Sequence, residues 1–110
     1  MNQIQQSPNQ FLLEYIVDSV VLCGNANNPD SIEYLGNRKF GWRLSKESVI
    51  SRIQNGLGTF YVNDVMMGKR IPIQVLKDKN GSIILSAYAN ERPWDTLLGL
   101  PSCIDLPLID

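Results

Sequence analysis

The chain has no histidine, only two cysteines, and no lysine or arginine before Arg38. Without histidine there is no His-based triad, no imidazole general base and no His-ligated metal. Two cysteines cannot cage zinc by themselves, and they allow one disulfide at most. No positively charged leader precedes an apolar run. The most apolar early stretch, residues 11–23, carries Glu14 and Asp18 and is too short to cross a bilayer. The expectation is a cytoplasmic protein with Cys23 and Cys103 reduced. Nor is there a phosphate-cradling glycine loop. Gly56-Leu57-Gly58 follows a helical segment instead of opening one, so it cannot present N-terminal amides to a phosphate.

What is present is one small globular domain's worth of chain: 110 residues, 44% hydrophobic and 19% charged. Residues 1–10 are polar and Gln/Asn-rich and read as a tail. Residues 11–103 read as a single domain, and 104–110 as a C-terminal tail. Residues 13–22 form a β-branched run, apolar on both faces, and predict one strand covered on both sides. The turn-rich cluster 24–30 precedes a short strand over 31–35, and Gly36-Asn37 punctuates it. Phe40, Trp42 and Leu44 alternate with Lys39, Gly41 and Arg43, predicting a half-buried strand with its basic residues on the open face.

A helix follows. Ser45 is a good N-cap, Glu47 suits the first turn, and Val49, Ile50 and Ile53 make the apolar stripe. Asn55-Gly56 ends it, with glycine free to adopt a left-handed conformation. Strands are predicted at 59–63, 71–77 and 82–88. Pro72 places the second at an edge or bulge, and Asp78-Lys79-Asn80-Gly81 turns it into the third. The prolines after Arg92 make the end of the chain an extended, packed segment. The order β-β-β-α-β-β-β predicts an α+β fold, an antiparallel sheet of about five or six strands with one short helix packed on it.

Residues 41–50 (Gly-Trp-Arg-Leu-Ser-Lys-Glu-Ser-Val-Ile), then Ile53, Gly56, Phe60-Tyr61-Val62 and the closing run 94–103 (Trp-Asp-Thr-Leu-Leu-Gly-Leu-Pro-Ser-Cys), follow a familiar order. In that order and spacing the chain resembles a bacterial family of small proteins catalogued as domain of unknown function 3892. The resemblance covers roughly residues 15–103. It implies a tryptophan strand, a Ser/Thr-capped helix ended by glycine, an aromatic-aromatic-Val strand and a sheet pair. This chain has Asp95-Thr96 where the family carries an asparagine pair, and an insertion at 37–40. The family has no established activity, so the resemblance implies a fold and leaves function open.

Candidate chemistry is sparse. Cys103 has no base to activate it, so a buried packing role is expected, and Cys23 is read the same way. Asp78, Glu91 and Asp95 lie in turn-like sequence, where surface carboxylates and caps are the ordinary occupants. Met66-Met67 fits an adaptable patch or packing under the sheet. Trp42 reads as core, whereas Trp94, beside Arg92, is either an exposed anchor or a pin for the tail.

Charge is unevenly spread. Residues 1–37 carry about −4, residues 38–92 hold all ten cations and carry about +6, and the remainder carries about −3. Arg38, Lys39, Arg43, Lys69 and Arg70, with Arg92 and Trp94, are the candidate ligand-binding residues. They would converge if the tryptophan strand lay beside the strand that Lys69-Arg70 precedes. The other reading is a solvated face, or acidic ends folded over the basic middle.

The expected function is a small non-catalytic binding or protein-interaction domain, self-associating through sheet edges or meeting a protein partner. A special case is sequestration of an anionic or nucleotide-like small molecule, as small phage-borne anti-defence proteins do. RNA or single-stranded nucleic-acid binding is the alternative. No cofactor, metal, membrane partner or enzymatic activity is expected.

Overall fold

The computed structural model describes residues 13–24, 28–65, 68–88 and 96–110. Its architecture follows from a change of partner early in the chain. Strand β1 (Leu13–Ile16) pairs in parallel with β5 (Gly58–Asp64), which pairs antiparallel with β6 (Lys69–Pro72). Strand β2 (Ser19–Leu22) belongs to a second, antiparallel sheet with β3 (Ile32–Asn37) and β4 (Trp42–Ser45). The handover takes two residues. Val17 N–H still donates to the Tyr61 carbonyl of β5 at 2.7 Å, and Asp18 N–H already donates to Gly36 of β3 at 3.0 Å. The single strand expected over 13–22 is therefore two, in different sheets, and neither glycine nor proline marks the break.

The strand expected over 71–77 also divides. Pro72 has no N–H and closes β6; Ile73 then donates to the Phe60 carbonyl at 2.8 Å. Strand β7 (Gln74–Lys77) turns away to pair with β8 (Ile83–Ser86) as a separate two-stranded sheet. Asp78 caps the intervening turn, its Oδ1 accepting from Asn80 and Ser82 N–H, each at 2.9 Å, with Gly81 at φ 85°. The fold is α+β, mostly antiparallel, with eight strands in three sheets and one α-helix among the described residues. Among the described residues no helix is long and apolar enough to cross a membrane.

Helix α1 (Lys46–Gln54) begins as its sequence dictates, the Ser45 hydroxyl accepting from Ser48 N–H at 3.2 Å. It ends at Gly56, φ 69°, where Gly56 and Leu57 N–H groups donate to the Ile53 and Arg52 carbonyls. Val49 is fully buried from the helix, against Leu35, Leu44, Phe60, Val62 and Leu85 from all three sheets. Burying side chains of this size contributes about 1.5–3 kcal/mol each. Tyr15 stacks on Phe60 at 4.5 Å, meets Trp42 edge-on at 5.7 Å, and accepts a hydrogen bond from Arg52 at 2.9 Å. Aromatic stacking thus links β1, β5 and β4, and the arginine fixes the helix to that stack.

Two expectations near the β3–β4 hairpin are corrected. Gly36 and Asn37, read as punctuation, lie inside β3 and are buried. Phe40, read on the covered face of a half-buried strand, sits in the turn and is 72% exposed. The turn occupies 38–41 and is closed by Gly41 at φ 74°, so the alternation that includes Trp42 and Leu44 starts after Phe40.

Candidate binding cleft

The basic residues singled out by the sequence do not share one face. Arg38 and Arg43 both reach the final segment, residues 101–110, which lies across the β2-β3-β4 sheet as a strap. On the core face of that sheet Val20, Leu35 and Leu44 stand side by side and are buried. Ser19, Gly36 and Arg43 alternate to the opposite face, where Cys103 is buried against Gly36. A Cβ on Gly36 would lie 3.0 Å from the Cys103 sulfur and 2.7 Å from the Trp42 carbonyl oxygen, so only glycine fits without movement.

The strap is tied at both sheet edges. Val20 N–H donates to the Pro101 carbonyl and Cys103 N–H to the Val20 carbonyl on β2. On β4, Arg43 N–H donates to Pro107, and Ile109 N–H to the Arg43 carbonyl. Arg38 holds the Asp105 carboxylate through two bonds at 2.7 and 3.0 Å and donates to the Ser102 carbonyl at 2.8 Å. Arg43 Nε donates to the Leu106 carbonyl at 2.7 Å, and its guanidinium lies 4.3 Å above the Tyr34 ring. The Arg38 guanidinium lowers the Asp105 carboxyl to about 2, and Asp105 in turn raises Arg38. Burial pushes the Cys103 thiol up, with the Ser19 hydroxyl beside it acting the other way.

Lys69 and Arg70 are in β6, in the other three-stranded sheet, so strand β4 does not lie beside them. Lys69 stands opposite Asp64 in the register. Arg70 pairs with Glu14 at 3.3 Å and lies 5.2 Å from the Tyr61 ring centre. Lys46 adds a pair with Asp30 at 3.9 Å. Acidic groups from both ends of the sequence thus meet its basic middle. Arg92 and Trp94, and likewise the Met66-Met67 pair, lie outside the described residues.

Lys39 differs from these arginines. Among the described residues its ammonium makes no hydrogen bond or ion pair and lies 5.6 Å from the Phe40 ring centre. Both residues line a cleft of about 330 Å³ formed where β1 hands over to β2. Ile16, Val17 and Asp18 form one side, and Val62, Asn63 and Val65 at the end of β5 form another. Asn37, Lys39, Phe40 and Leu100 add to the described lining.

Asn37 is engaged at both ends of its amide. Its Nδ2 donates to the Ile16 carbonyl at 2.8 Å, and its Oδ1 accepts from Phe40 N–H at 2.8 Å. The Asp18 Oδ1 accepts from Arg38 N–H at 2.8 Å. The hairpin tip is therefore held rigidly against the β1–β2 junction, with Phe40 projecting. At the rim Val65 is 88% exposed.

Of the cleft residues, sequence reasoning identified Lys39 and missed Asn63, Val65, Asp18 and the exposure of Phe40. One usable signal lay in Asn37 to Gly41, a side-chain-capped turn closed by a glycine, which would have put Phe40 at a tip. Compared with known proteins, the chain matches no family model, no curated protein and no solved structure.

Proposed function

We propose that this chain is a small non-catalytic binding domain that acts through the cleft between its two three-stranded sheets. One observation carries the reading: a large aromatic, Phe40, stands exposed on a well-braced turn beside an apolar recess of small-molecule size. Exposed aromatics on rigid supports are the usual anchors of recognition. The alternative of RNA or single-stranded nucleic-acid binding needs cations free to neutralise phosphates. Arg38, Arg43 and Arg70 are engaged within the fold, which favours the cleft over that reading.

Self-association stays part of the proposal through the edges of the other sheets. The β2 and β4 edges of the strapped sheet are bridged by Ser102 and Leu108. We also propose that the chain is a divergent member of the family catalogued as domain of unknown function 3892. What supports this is the placement of its motifs: the tryptophan strand falls on β4, the capped helix on α1, and Phe60-Tyr61-Val62 on β5.

Amide correlation spectra recorded with a library of small fragments test the binding reading. Hits should shift residues 16–18, 37–40, 62–65 and Leu100. A library that shifts nothing there, with native mass spectra showing a bare monomer, overturns it.

A further inference from the structure

The polar groups of the cleft indicate what it takes. This inference rests on the binding-domain reading and adds a ligand class. Asn37 uses both ends of its amide inside the fold, and Asp18 accepts the Arg38 N–H. Lys39 and Asn63 are different: both are exposed, both line the recess, and neither side chain has a hydrogen-bond partner among the described residues. An ammonium brings three donors and no acceptor, and an amide brings two donors and one acceptor. The unmatched capacity at the rim is therefore mostly donor and carries positive charge. The remaining lining side chains (Phe40, Val65, Ile16 and their neighbours) are apolar.

Arg38, which could have added a second cation, is neutralised by Asp105 at 2.7 Å. Among the described residues Asp18 is the one carboxylate in the lining, and it opposes an anion there.

We propose that the cleft binds a small organic anion, its apolar body against Phe40, Val65 and Ile16 and its charged group on Lys39 and Asn63. A carboxylate, sulfonate or phosphate satisfies this chemistry equally, since each offers several acceptor oxygens and a negative charge. The volume suits one such molecule, at the small end of ligand pockets.

The test is a fluorescence titration of the full chain with 1-anilinonaphthalene-8-sulfonate and with its uncharged counterpart N-phenyl-1-naphthylamine. The sulfonate should bind saturably and more tightly than the uncharged probe. Lys39→Gln should weaken the sulfonate about fivefold, the scale of one exposed charge pair, and leave the uncharged probe unchanged. Phe40→Ala should weaken both. Asp18→Asn, which keeps the acceptor for Arg38 N–H, should tighten the sulfonate alone. Lys79→Gln, at the β7–β8 turn, should change nothing.

Equal affinity for the two probes, or sulfonate binding indifferent to Lys39→Gln, overturns the proposal. Lys39 and Phe40 are exposed, so loss of folding does not confuse the result. Amide shifts separate the two levels of the reading. Sulfonate shifts confined to another surface remove the anion cleft and leave a binding domain. No shift from either probe, with the fragment library also silent, removes both.

Discussion

The side-chain amide of Asn37 donates to the main-chain carbonyl of Ile16 at 2.8 Å, joining the end of β1 to the end of β3 across the boundary between two sheets. Its other end holds Phe40 N–H, so one buried side chain fixes both the sheet junction and the cleft turn.

Asn37→Ala takes the partners from a part-buried carbonyl and a part-buried N–H, a loss of about 1–3 kcal/mol in all. Chemical denaturation should show the loss. Asn37→Asp keeps the acceptor for Phe40 and sets a carboxylate against the Ile16 carbonyl. When protonated, that group can donate again. The Asp variant should therefore lie closest to the parent in acid and fall away as pH rises, as melting temperatures between pH 3 and 8 would show.

Gly36→Ala ordinarily counts as a mild change in a strand, because alanine reduces the freedom of the unfolded chain. Here the added methyl meets the Trp42 carbonyl and Cys103 at 2.7 and 3.0 Å, so the strap or β4 must move. A loss of about 1–3 kcal/mol is expected, as for overpacked cores. Equilibrium unfolding measures it, and a neutral or stabilising result would contradict the close approach.

The two thiols should differ sharply. Cys23 is exposed, whereas Cys103 is buried on the inner side of the strap, against Gly36, with its thiol shifted upward by burial. A disulfide reagent should modify one cysteine at once and the second only as the strap lifts. Gly36→Ala should quicken the slow phase. Two equally fast phases would place Cys103 outside the packing described.

Asp105 is held down to about 2 by Arg38, from an ordinary value of 3.8. A carboxyl whose folded value is depressed stabilises the fold above its unfolded value and loses that contribution as pH falls through the folded value. The strap contacts should therefore persist through pH 4 and loosen toward pH 2. Carboxyl carbon shifts give the midpoint directly. The pair is exposed and yields to salt, so Asp105→Asn should change stability little at high ionic strength.

Local signals carried much of the fold and little of its assembly. The helix was legible because Ser45, Glu47 and Gly56 are chemical instructions acting within a few residues. The Asp78–Gly81 turn was legible for the same reason. The division of 13–22 was not, because the break at Val17-Asp18 is made by partners 18 and 44 residues further on, Gly36 and Tyr61, with no breaker in the chain. Gly36 misled for a related cause. A glycine in a strand signals a turn or a close approach equally well, and only the position of Cys103 decides. At the cleft, the cationic residue types were visible, but their partners were not. Arg38 and Lys39 are adjacent in sequence, yet one is bound to Asp105 and the other stands at the rim.

The strap also sets a timetable. Arg38 must wait for groups 64 and 67 residues away, and Arg43 for one 63 residues away. The β3–β4 hairpin and the capped helix, by contrast, close over short loops. Contacts between distant parts of a chain cost loop entropy before they return any stability. The β2-β3-β4 sheet should thus form with its outer face bare, and the strap should dock as a late, separate step. Until then Gly36 and both sheet edges stand open to other chains, and that interval is when this protein is most exposed to mispairing.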